Sequence, residues 1–273
     1  MRLALLLLAF LLGAAGQVAA EPASFTIMTY NIRAGLGGAD ADRSPTEVRG
    51  RGNAMDLKPV IAAIRSAKAD VVALQEVVGD GQARRIAAAL GMKHVYARHG
   101  LTHGNWWGLA ILSRYPIASY RSAITSTGRG NSRSDLTAVI RIAGRDVTVV
   151  NVHPDKDLKD GAPIKRTAAR LAKVEGPLVV LGDFNARPKA ARLKPVRERL
   201  SDAAEIADGK GVPEVVRHAT FMRDAKPVAG ARIDYIFVDP KFVAVRDVRL
   251  LDRAHWPASD HIGVIAALGI KGK

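Results

Sequence analysis

Short runs of apolar and β-branched residues recur along the chain, and stretches with helical spacing separate some of them. Most of these runs are apolar throughout or alternate with polar residues, which is typical of strands covered on at least one face. They predict strands at 25–30, 70–74, 109–112, 136–142, 147–152, 178–181, 233–238, 242–250 and 262–268. Strands interleaved with helices, followed by a β-rich segment, predict a layered α/β fold.

Apolar positions three and four residues apart predict helices at 56–68, 82–90 and 164–174. Asp56 is expected to cap the first of these helices. Pro195 lies inside the segment 190–200, which therefore predicts two short pieces instead of one helix. No internal repeat, low-complexity tract or flexible linker divides the sequence, so we expect a single catalytic domain over 21–273.

The first twenty residues have the pattern of a secretory signal peptide. Arg2 gives a positive start, 3–15 is apolar apart from one glycine, and small residues lead up to Ala20. The apolar run is shorter than the ~20 residues that a membrane-spanning helix needs. We therefore expect residues 1–20 to be removed after Ala20, and the product to be secreted or periplasmic with no stable membrane span.

Composition narrows the classes of function. Hydrophobic residues make up 48% of the 273 residues, which excludes a disordered or fibrous chain. The absence of cysteine excludes disulfides, thiolate metal sites and a cysteine nucleophile. Lys and Arg number 41 against 26 Asp and Glu, a net charge of +15, which favours polyanionic partners such as nucleic acid or anionic lipid. The alternative is that this charge only keeps the protein soluble.

Polar residues follow or interrupt the predicted strands at several places. They are Asn31, Gln75, Glu76, His153, Asp183, Asn185, Asp234, Asp260 and His261. Each has an alternative explanation alone: Glu76 could cap a turn, 182–185 could be only a tight turn, and His153 could be a core histidine. Asp234 is harder to dismiss, because an acid among apolar strand residues is costly unless paired. Together they predict one crevice site at the strand ends.

The donor types in this set predict its chemistry. Carboxylate and amide oxygens with few histidines form a hard site, which prefers Mg²⁺, or Mn²⁺, over zinc. A cation held by one or two carboxylates keeps positions open for water and a phosphate oxygen. The remaining histidines and acids could then activate the water and stabilise charge on phosphorus during in-line attack.

The ordered motifs resemble those of the endonuclease/exonuclease/phosphatase family, which includes deoxyribonuclease I, neutral sphingomyelinases and inositol polyphosphate 5-phosphatases. The motifs are TYNIR at 29–33, ALQEV at 73–77, GLAILSR at 108–114, NVH at 151–153, LGDFNA at 181–186, RIDYIF at 232–237 and SDH at 259–261. The resemblance implies a four-layer α/β sandwich, with two mixed β-sheets packed face to face and helices outside. It also implies hydrolysis of a phosphoester with a divalent metal, usually Mg²⁺.

The resemblance further implies roles for the acidic and amide residues. Glu76 is similar to the family's main metal ligand, with Asn31 and Asp260 near the metal. Asp183 resembles the residue that orients or deprotonates the attacking water. Asn185 resembles the residue that hydrogen-bonds the phosphate.

Two histidines complete the implied site. His261 would contact the scissile phosphate, with its imidazole oriented and kept cationic by Asp234, because a buried acid beside histidine raises the imidazole pKa. His153 would be a second histidine on the phosphate or the leaving oxygen. His153 argues against the abasic-site endonuclease branch, which lacks this histidine.

Two motifs depart from the family pattern. Pro154 and Asp155 follow His153 where relatives more often carry leucine or phenylalanine, and Gly263 stands where proline is usual. Neither departure removes a chemical group, so catalytic activity is still expected.

Basic segments at 43–51, 121–133 and 156–170 flank the predicted site and would track a nucleic-acid backbone, or would be only solvated loops. Arg114, Arg129 and Arg133 are the predicted substrate contacts. The tryptophans at 106, 107 and 256 could stack on bases, lie at a lipid interface or pack in the core.

Three hypotheses remain open at this stage. The first is an exported, monomeric, DNase-like nuclease that needs Mg²⁺ or Mn²⁺ and acts on DNA or RNA. The second is the same chemistry on a sphingomyelin-type or inositol-phosphate substrate. The third, disfavoured because every expected group is present, is a non-catalytic protein that binds polyanions.

Overall fold

The computed structural model describes residues 23–38, 55–99, 107–127, 132–158, 160–208 and 214–272. The predictions for the leader 1–20, for the basic segment 43–51, for Trp106 and for Arg129 lie outside the described residues. The strands are β1 (Ser24–Asn31), β2 (Val71–Val78), β3 (Lys93–Arg98), β4 (Trp107–Ser113), β5 (Ile117–Thr127), β6 (Ser132–Ile142), β7 (Arg145–Val152), β8 (Leu178–Asp183), β9 (Ser201–Asp202), β10 (Met222–Arg223), β11 (Lys226–Pro227), β12 (Asp234–Val238), β13 (Val243–Leu250) and β14 (Val264–Ile270). The helices are α1 (Lys58–Ala67), α2 (Gly79–Leu90), α3 (Ala162–Leu171), α4 (Lys194–Arg197), α5 (Ala203–Asp208) and α6 (Glu214–Arg217), with 3₁₀ turns at Arg33–Gly35, Ala191–Leu193 and Arg253–Ala258.

Two mixed six-stranded sheets form the centre of the described structure. The first has the order β13-β14-β1-β2-β4-β3, and the second has the order β5-β6-β7-β8-β12-β9. Each contains one parallel pair, β1 with β2 and β7 with β8, and antiparallel neighbours elsewhere. The arrangement confirms the predicted α/β sandwich of two mixed sheets.

Three apolar clusters hold the layers together. The largest lies between the two sheets, with inward residues such as Ile27, Ile111 and Val149. The second packs α1 and α2 on the outer face of the first sheet, and the third packs α3 and α4 on the outer face of the second. Because strand residues alternate between faces, both sheets are apolar on both sides, as the continuous apolar runs predict.

Five of the described strands were not predicted from the sequence: β3, β5 and the two-residue strands β9, β10 and β11. β5 has a largely solvent-exposed surface and lies at the edge of its sheet, so its residues carry little apolar signal. β3 is also an edge strand and mixes basic and apolar residues. The N-cap of α1 is Leu57 and not Asp56 as predicted, although the Asp56 carboxylate accepts a hydrogen bond from the Lys58 N–H. The segment around Pro195 forms two short pieces as predicted, a 3₁₀ turn and α4, with Pro195 in the first turn of α4.

Strand direction determines which residues meet. β1 and β2 end at the same edge of the first sheet, and β14, antiparallel to β1, begins there. In the second sheet β7 and β8 end at one edge, where the antiparallel strand β12 begins, with Asp234 opposite Asp183. No helix in the described ranges is long and apolar enough to cross a membrane.

Candidate active site

Strand ends from both sheets meet at one end of the sandwich and bring most of the predicted polar residues into contact. Asn31 connects the two sheets: its side-chain amide donates to Asp183 at 3.2 Å and lies 3.5 Å from His261 Nε2. Asp183 Oδ2 also lies 3.3 Å from His153 Nε2 and 3.8 Å from His261 Nε2. One carboxylate oxygen therefore faces two imidazoles and an amide donor.

Glu76 lies on a β-bulge. Between the pairs Leu74–Ala110 and Val77–Gly108, two residues of β2 oppose one residue of β4. Glu76 has φ of 56°, in the left-handed region that is strained for a residue with a side chain. Bulges and strained residues concentrate at functional sites, where they redirect a side chain.

The Glu76 carboxyl is held in a charged neighbourhood. Burial raises its pKa, the charges of His153 and His261 lower it, and the charge of Asp260 raises it further. These groups act on Glu76 by charge and not by hydrogen bonding. A partly buried carboxylate of this kind gains stability from a bound cation.

His261 is held as an imidazolium. Its Nδ1 lies 2.9 Å from Asp234 Oδ2, and both residues are buried. Burial alone would lower the imidazole pKa, but the charges of Asp234 and Asp183 raise it well above the ordinary value. Asp234 therefore has the partner that its apolar strand requires, and the predicted histidine–aspartate pair is present.

Asp183 is held in its ionised form. Burial would raise its pKa, but the charges of His261 and His153 and hydrogen bonds from His153 and the Asn185 N–H lower it well below the ordinary range. The Asn185 N–H donates to Asp183 Oδ1 at 2.8 Å, and Asn185 itself has φ of 50°. The Asn185 side-chain amide donates to the Pro154 carbonyl at 3.2 Å, so it lies beside the residue that follows His153.

Asp260 pairs with Arg33, which the sequence interpretation did not assign to the site. Arg33 Nε lies 3.5 Å from Asp260 Oδ2, and the Arg33 N–H donates to Asn31 Oδ1 at 3.1 Å. The Ser259 hydroxyl donates to the Asn31 carbonyl at 2.7 Å and accepts from the His261 N–H at 3.2 Å. The position of Arg33 two residues after Asn31, and of Ser259 directly before Asp260, was the available sequence signal.

His99 is a further buried histidine beside the site. Its Nδ1 accepts a hydrogen bond from the Ser134 N–H at 3.0 Å, which places the imidazole proton on Nε2. Burial and the nearby charges of Arg133 and His153 lower its pKa well below the ordinary value, so it is neutral. Its ring centroid lies 5.9 Å from that of His153. His99 directly follows β3, the strand that the sequence pattern did not predict.

The predicted substrate arginines divide into two groups. Arg133, on β6, is close enough for its charge to lower the pKa values of Glu76 and His99. The prediction that Arg114 contacts the substrate at this site is corrected by the structure. Arg114 directly follows Ser113, which pairs with Val71 at the beginning of β2. Glu76 is five residues further along β2, about 17 Å at the usual rise of a strand. The antiparallel pairing therefore places Arg114 at the opposite end of the sheet.

Trp256 packs in the protein and is not presented as a stacking surface. It is partly buried against the cluster beneath α1, and its indole N–H donates to the Leu251 carbonyl at 2.9 Å. Trp107 begins β4 and is half-buried. Among the alternatives for the tryptophans, core packing is the one that the contacts of Trp256 support.

Two groups of oxygen and nitrogen donors could hold a cation. Asp183, Asp234 and His261 bring ligand atoms within 4.8 Å of one another. The raised pKa of His261 opposes ligation there, because a protonated imidazole has no free lone pair. Glu76 and Asp260 are close enough for their charges to interact, and with the Asn31 amide oxygen they would give an oxygen-only set that fits a hard divalent cation.

Comparisons with known proteins identify one family and one fold. The model of the endonuclease/exonuclease/phosphatase family matches residues 28–261. No curated protein matches the chain significantly. A solved endonuclease/exonuclease/phosphatase from Bacteroides vulgatus is 18% identical, with a TM-score of 0.68 over 91% of this chain and 99% of that chain.

Two animal proteins share the fold at similarly low sequence identity. The human Nocturnin catalytic domain, solved with a bound sulfate anion, is 18% identical with a TM-score of 0.65, over 91% of this chain and 94% of that chain. TDP2 from D. rerio, solved with a single-strand DNA product, is 15% identical with a TM-score of 0.65, over 90% of this chain and 99% of that chain.

Proposed function

Because the chain belongs to the endonuclease/exonuclease/phosphatase family, whose members are generally phosphoester hydrolases, we propose that it is a divalent-metal-dependent phosphodiesterase that cleaves nucleic acid. One observation carries this proposal. At one end of the sandwich, the ionised carboxylate of Asp183 faces His153 and the His261 imidazolium, beside the bulge that holds Glu76. This arrangement combines a water-orienting acceptor with positive charge for a phosphate.

Glu76, Asp260 and the Asn31 amide oxygen are the residues we propose to hold the cation, Mg²⁺ or Mn²⁺. When bound, the cation supplies Lewis-acid stabilisation of charge on a phosphate oxygen. Arg33 holds Asp260 and Asn31 in place through the contacts to Asp260 Oδ2 and Asn31 Oδ1. The same residues thus link the proposed cation site to the backbone of the turn after β1.

Asp183 accepts a hydrogen bond from the attacking water and orients it in line with the scissile bond. Its lowered pKa favours orientation over strong proton abstraction, because the efficiency of a general base falls as its pKa falls below the working pH. His261 donates from Nε2 to a phosphate oxygen, while Nδ1 remains bonded to Asp234. His153 and Asn185 provide further donors at the same place, so that charge developing on the phosphate oxygens is met by prearranged donors.

Nucleic acid is the substrate class that charge favours. The net charge of +15 attracts a polyanion, and Arg133 contributes positive charge beside Glu76 and His99. The resemblance in fold to TDP2, which was solved with a single-strand DNA product, is consistent with this choice. We further propose that the protein is a monomer and, from the leader pattern, that it is exported.

A panel of phosphoesters tests the substrate class. We expect the chain with Mg²⁺ to cleave supercoiled plasmid and single-stranded oligonucleotides, and to leave sphingomyelin vesicles and inositol polyphosphates intact. Preferential turnover of either of the last two would replace the nuclease proposal with the second hypothesis. Retained binding of oligonucleotide without turnover of any phosphoester would support the non-catalytic hypothesis.

Asp183→Asn separates chemistry from binding in the same assay. The variant should lose about 10²–10⁴-fold in kcat, since positioned general-base and water-orienting groups contribute this much. Its affinity for Mn²⁺ should remain within a few-fold of wild type, because Asp183 is not among the proposed metal ligands. Normal turnover by Asp183→Asn would remove Asp183 from the water-activating role.

A further inference from the structure

Asn151 reaches from the second sheet to the bulge in the first. The residue is fully buried in β7, where its backbone pairs with Leu136 and Leu181. Its side-chain amide donates to the carbonyls of Leu74 and Ala110, both at 2.9 Å. These two residues form the last regular pair of β2 and β4 before the bulge. Asn151 therefore binds both strands at the point where their ladder is interrupted.

Gln75, within the bulge, completes the connection. Its side-chain amide donates to Asn151 Oδ1 at 2.7 Å, to Thr29 Oγ1 at 3.1 Å and to the Ala73 carbonyl at 3.2 Å. Gln75, Thr29 and Asn151 are all fully buried. A buried polar network whose members are satisfied in this way fixes one arrangement, because any other leaves groups unpaired.

The bulge needs such a support. A left-handed backbone conformation at Glu76 is strained relative to a regular strand, because its Cβ crowds the backbone there. A regular strand would also turn the side chain to another face, since a shift by one residue reverses the alternation. The network acts on the residues before and within the bulge and leaves the Glu76 carboxylate itself free of hydrogen bonds from the network.

We propose that Asn151 and Gln75 are positioning residues that lock the bulge and thereby set the affinity of the Glu76 carboxylate for a divalent cation. This inference rests on the proposed role of Glu76 as a metal ligand. β7 then supplies two residues to the site. Asn151 supports the bulge that carries Glu76, and His153, two residues later, lies beside Asp183. The two sheets are coupled at the site by this side chain as well as by the Asn31–Asp183 contact.

Direct measurement of metal binding tests the proposal without substrate. Mn²⁺ binding to the whole chain would be titrated by electron paramagnetic resonance and calorimetry for wild type, Asn151→Leu and Gln75→Met. Both substitutions keep side-chain volume close to the original and remove the amide. We expect the Kd for Mn²⁺ to rise about 10–100-fold in each variant, the range seen when a group supporting a metal ligand is lost.

Thr167→Val is the matched control. Thr167 is also buried, and its hydroxyl donates to Asp135 and to the Pro163 carbonyl on α3, away from the bulge. The control should lose thermal stability and keep the wild-type Kd for Mn²⁺. If Asn151→Leu does not fold, Gln75→Met carries the test, because it leaves both Asn151 contacts to the strand carbonyls in place.

The outcomes separate this inference from the proposed function. Wild-type affinity for Mn²⁺ in both folded variants would overturn the positioning role while leaving the metal site intact. If Thr167→Val lost as much affinity for Mn²⁺ as the two variants did, at an equal loss of stability, the effect would be general destabilisation and the positioning role would also be overturned. Failure of the wild type to bind Mn²⁺ would instead refute the proposed metal site.

Discussion

At the scale of single residues, the site is defined by how its charges are paired. Asp234 lies beside Nδ1 of His261 and Asp183 faces Nε2, so a carboxylate stabilises the imidazolium at each ring nitrogen. The pKa of His261 is raised and that of Asp183 is lowered, and each shift depends on the other group remaining charged. A proton donor toward phosphate and an ionised acceptor toward water thus coexist at one pH.

Asp234→Asn tests the pairing at His261. The raised pKa keeps the imidazole charged at low and neutral pH, and this charge is lost as pH rises through the raised pKa. Removing the Asp234 charge lowers that pKa, so the upper pH limit of kcat/KM should move to lower pH, with a loss of about 10²–10³-fold at pH 8. The pH profile of kcat/KM and the histidine signals in an NMR titration measure both effects. An unchanged titration of His261 would contradict the account.

At the scale of elements, close backbone approaches and buried anchors position the strands and helices around the site. Gly182 precedes Asp183 in β8, and a Cβ added there would lie 2.0 Å from the Val152 carbonyl oxygen of β7. β7 and β8 can therefore pair this closely, and bring His153 beside Asp183, only with glycine at this position.

Gly182→Ala should lower the free energy of unfolding by about 2–4 kcal/mol, because the collision is with backbone that cannot rotate away. Gly176→Ala is the matched control, since Gly176 also has positive φ but an added Cβ would meet no atom within 4 Å. It should cost about 1 kcal/mol from backbone strain alone. Urea denaturation compares the two, and equal losses would show that the close approach at Gly182 does not matter.

Helix α3 is anchored to β6 through a buried acid. Asp135 accepts a hydrogen bond from the Thr167 hydroxyl at 2.7 Å and forms an ion pair with Arg170. Burial outweighs these contacts and raises the pKa of Asp135 from 3.8 to about 6. The folded state therefore binds a proton at Asp135 more tightly than the unfolded chain does.

This pKa shift predicts a pH dependence of stability. The stabilisation is fully present below about pH 4 and is lost as pH rises to about 6, a change of about 3 kcal/mol from Asp135. Asp135→Asn cannot titrate, so the difference in unfolding free energy between wild type and variant should change across this window and be constant above it. Chemical denaturation at several pH values measures it. A difference that does not vary between pH 4 and 6 would contradict the shift.

At the scale of the whole molecule, charge and fold together suit a large polyanion. The chain carries +15 net charge, and Arg133 lies on the side of the site while Arg114 lies at the far end of the first sheet. Binding of nucleic acid should therefore weaken steeply with salt, by a slope of about −0.9 in log K against log salt for each phosphate contacted on duplex DNA.

The two arginines provide a matched pair for this salt dependence. The Asp183→Asn background is expected to bind without cleaving. In this background, Arg133→Gln should make the slope of log K against log salt shallower by the contribution of about one phosphate contact. Arg114→Gln should leave it unchanged, because its position is remote from the site. Fluorescence anisotropy with a duplex oligonucleotide at graded KCl measures the slopes. An equal reduction in both variants would show that binding follows net charge and not the site.

The sequence predicted most of the sandwich because continuous apolar runs and ordered motifs are local signals. It predicted the pairing of Asp234, because a buried acid needs a partner. It did not predict β5, whose polar edge residues resemble a loop, nor the place of His99, which depends on the pairing of β3 with β4. The bulge at Glu76 and the remote position of Arg114 follow from strand register, which a local pattern does not contain.

The central claim is that Glu76 and its neighbours form one metal-dependent phosphodiesterase site. Nicking of supercoiled plasmid with Mg²⁺ tests it most directly, using wild type, Glu76→Gln and the control Glu205→Gln, whose half-exposed carboxylate pairs with Arg197 away from the strand ends. We expect nicking that stops in EDTA, falls at least about 10³-fold in Glu76→Gln, and persists in Glu205→Gln. Nicking by folded Glu76→Gln at the wild-type rate, or undiminished nicking in EDTA, would contradict it.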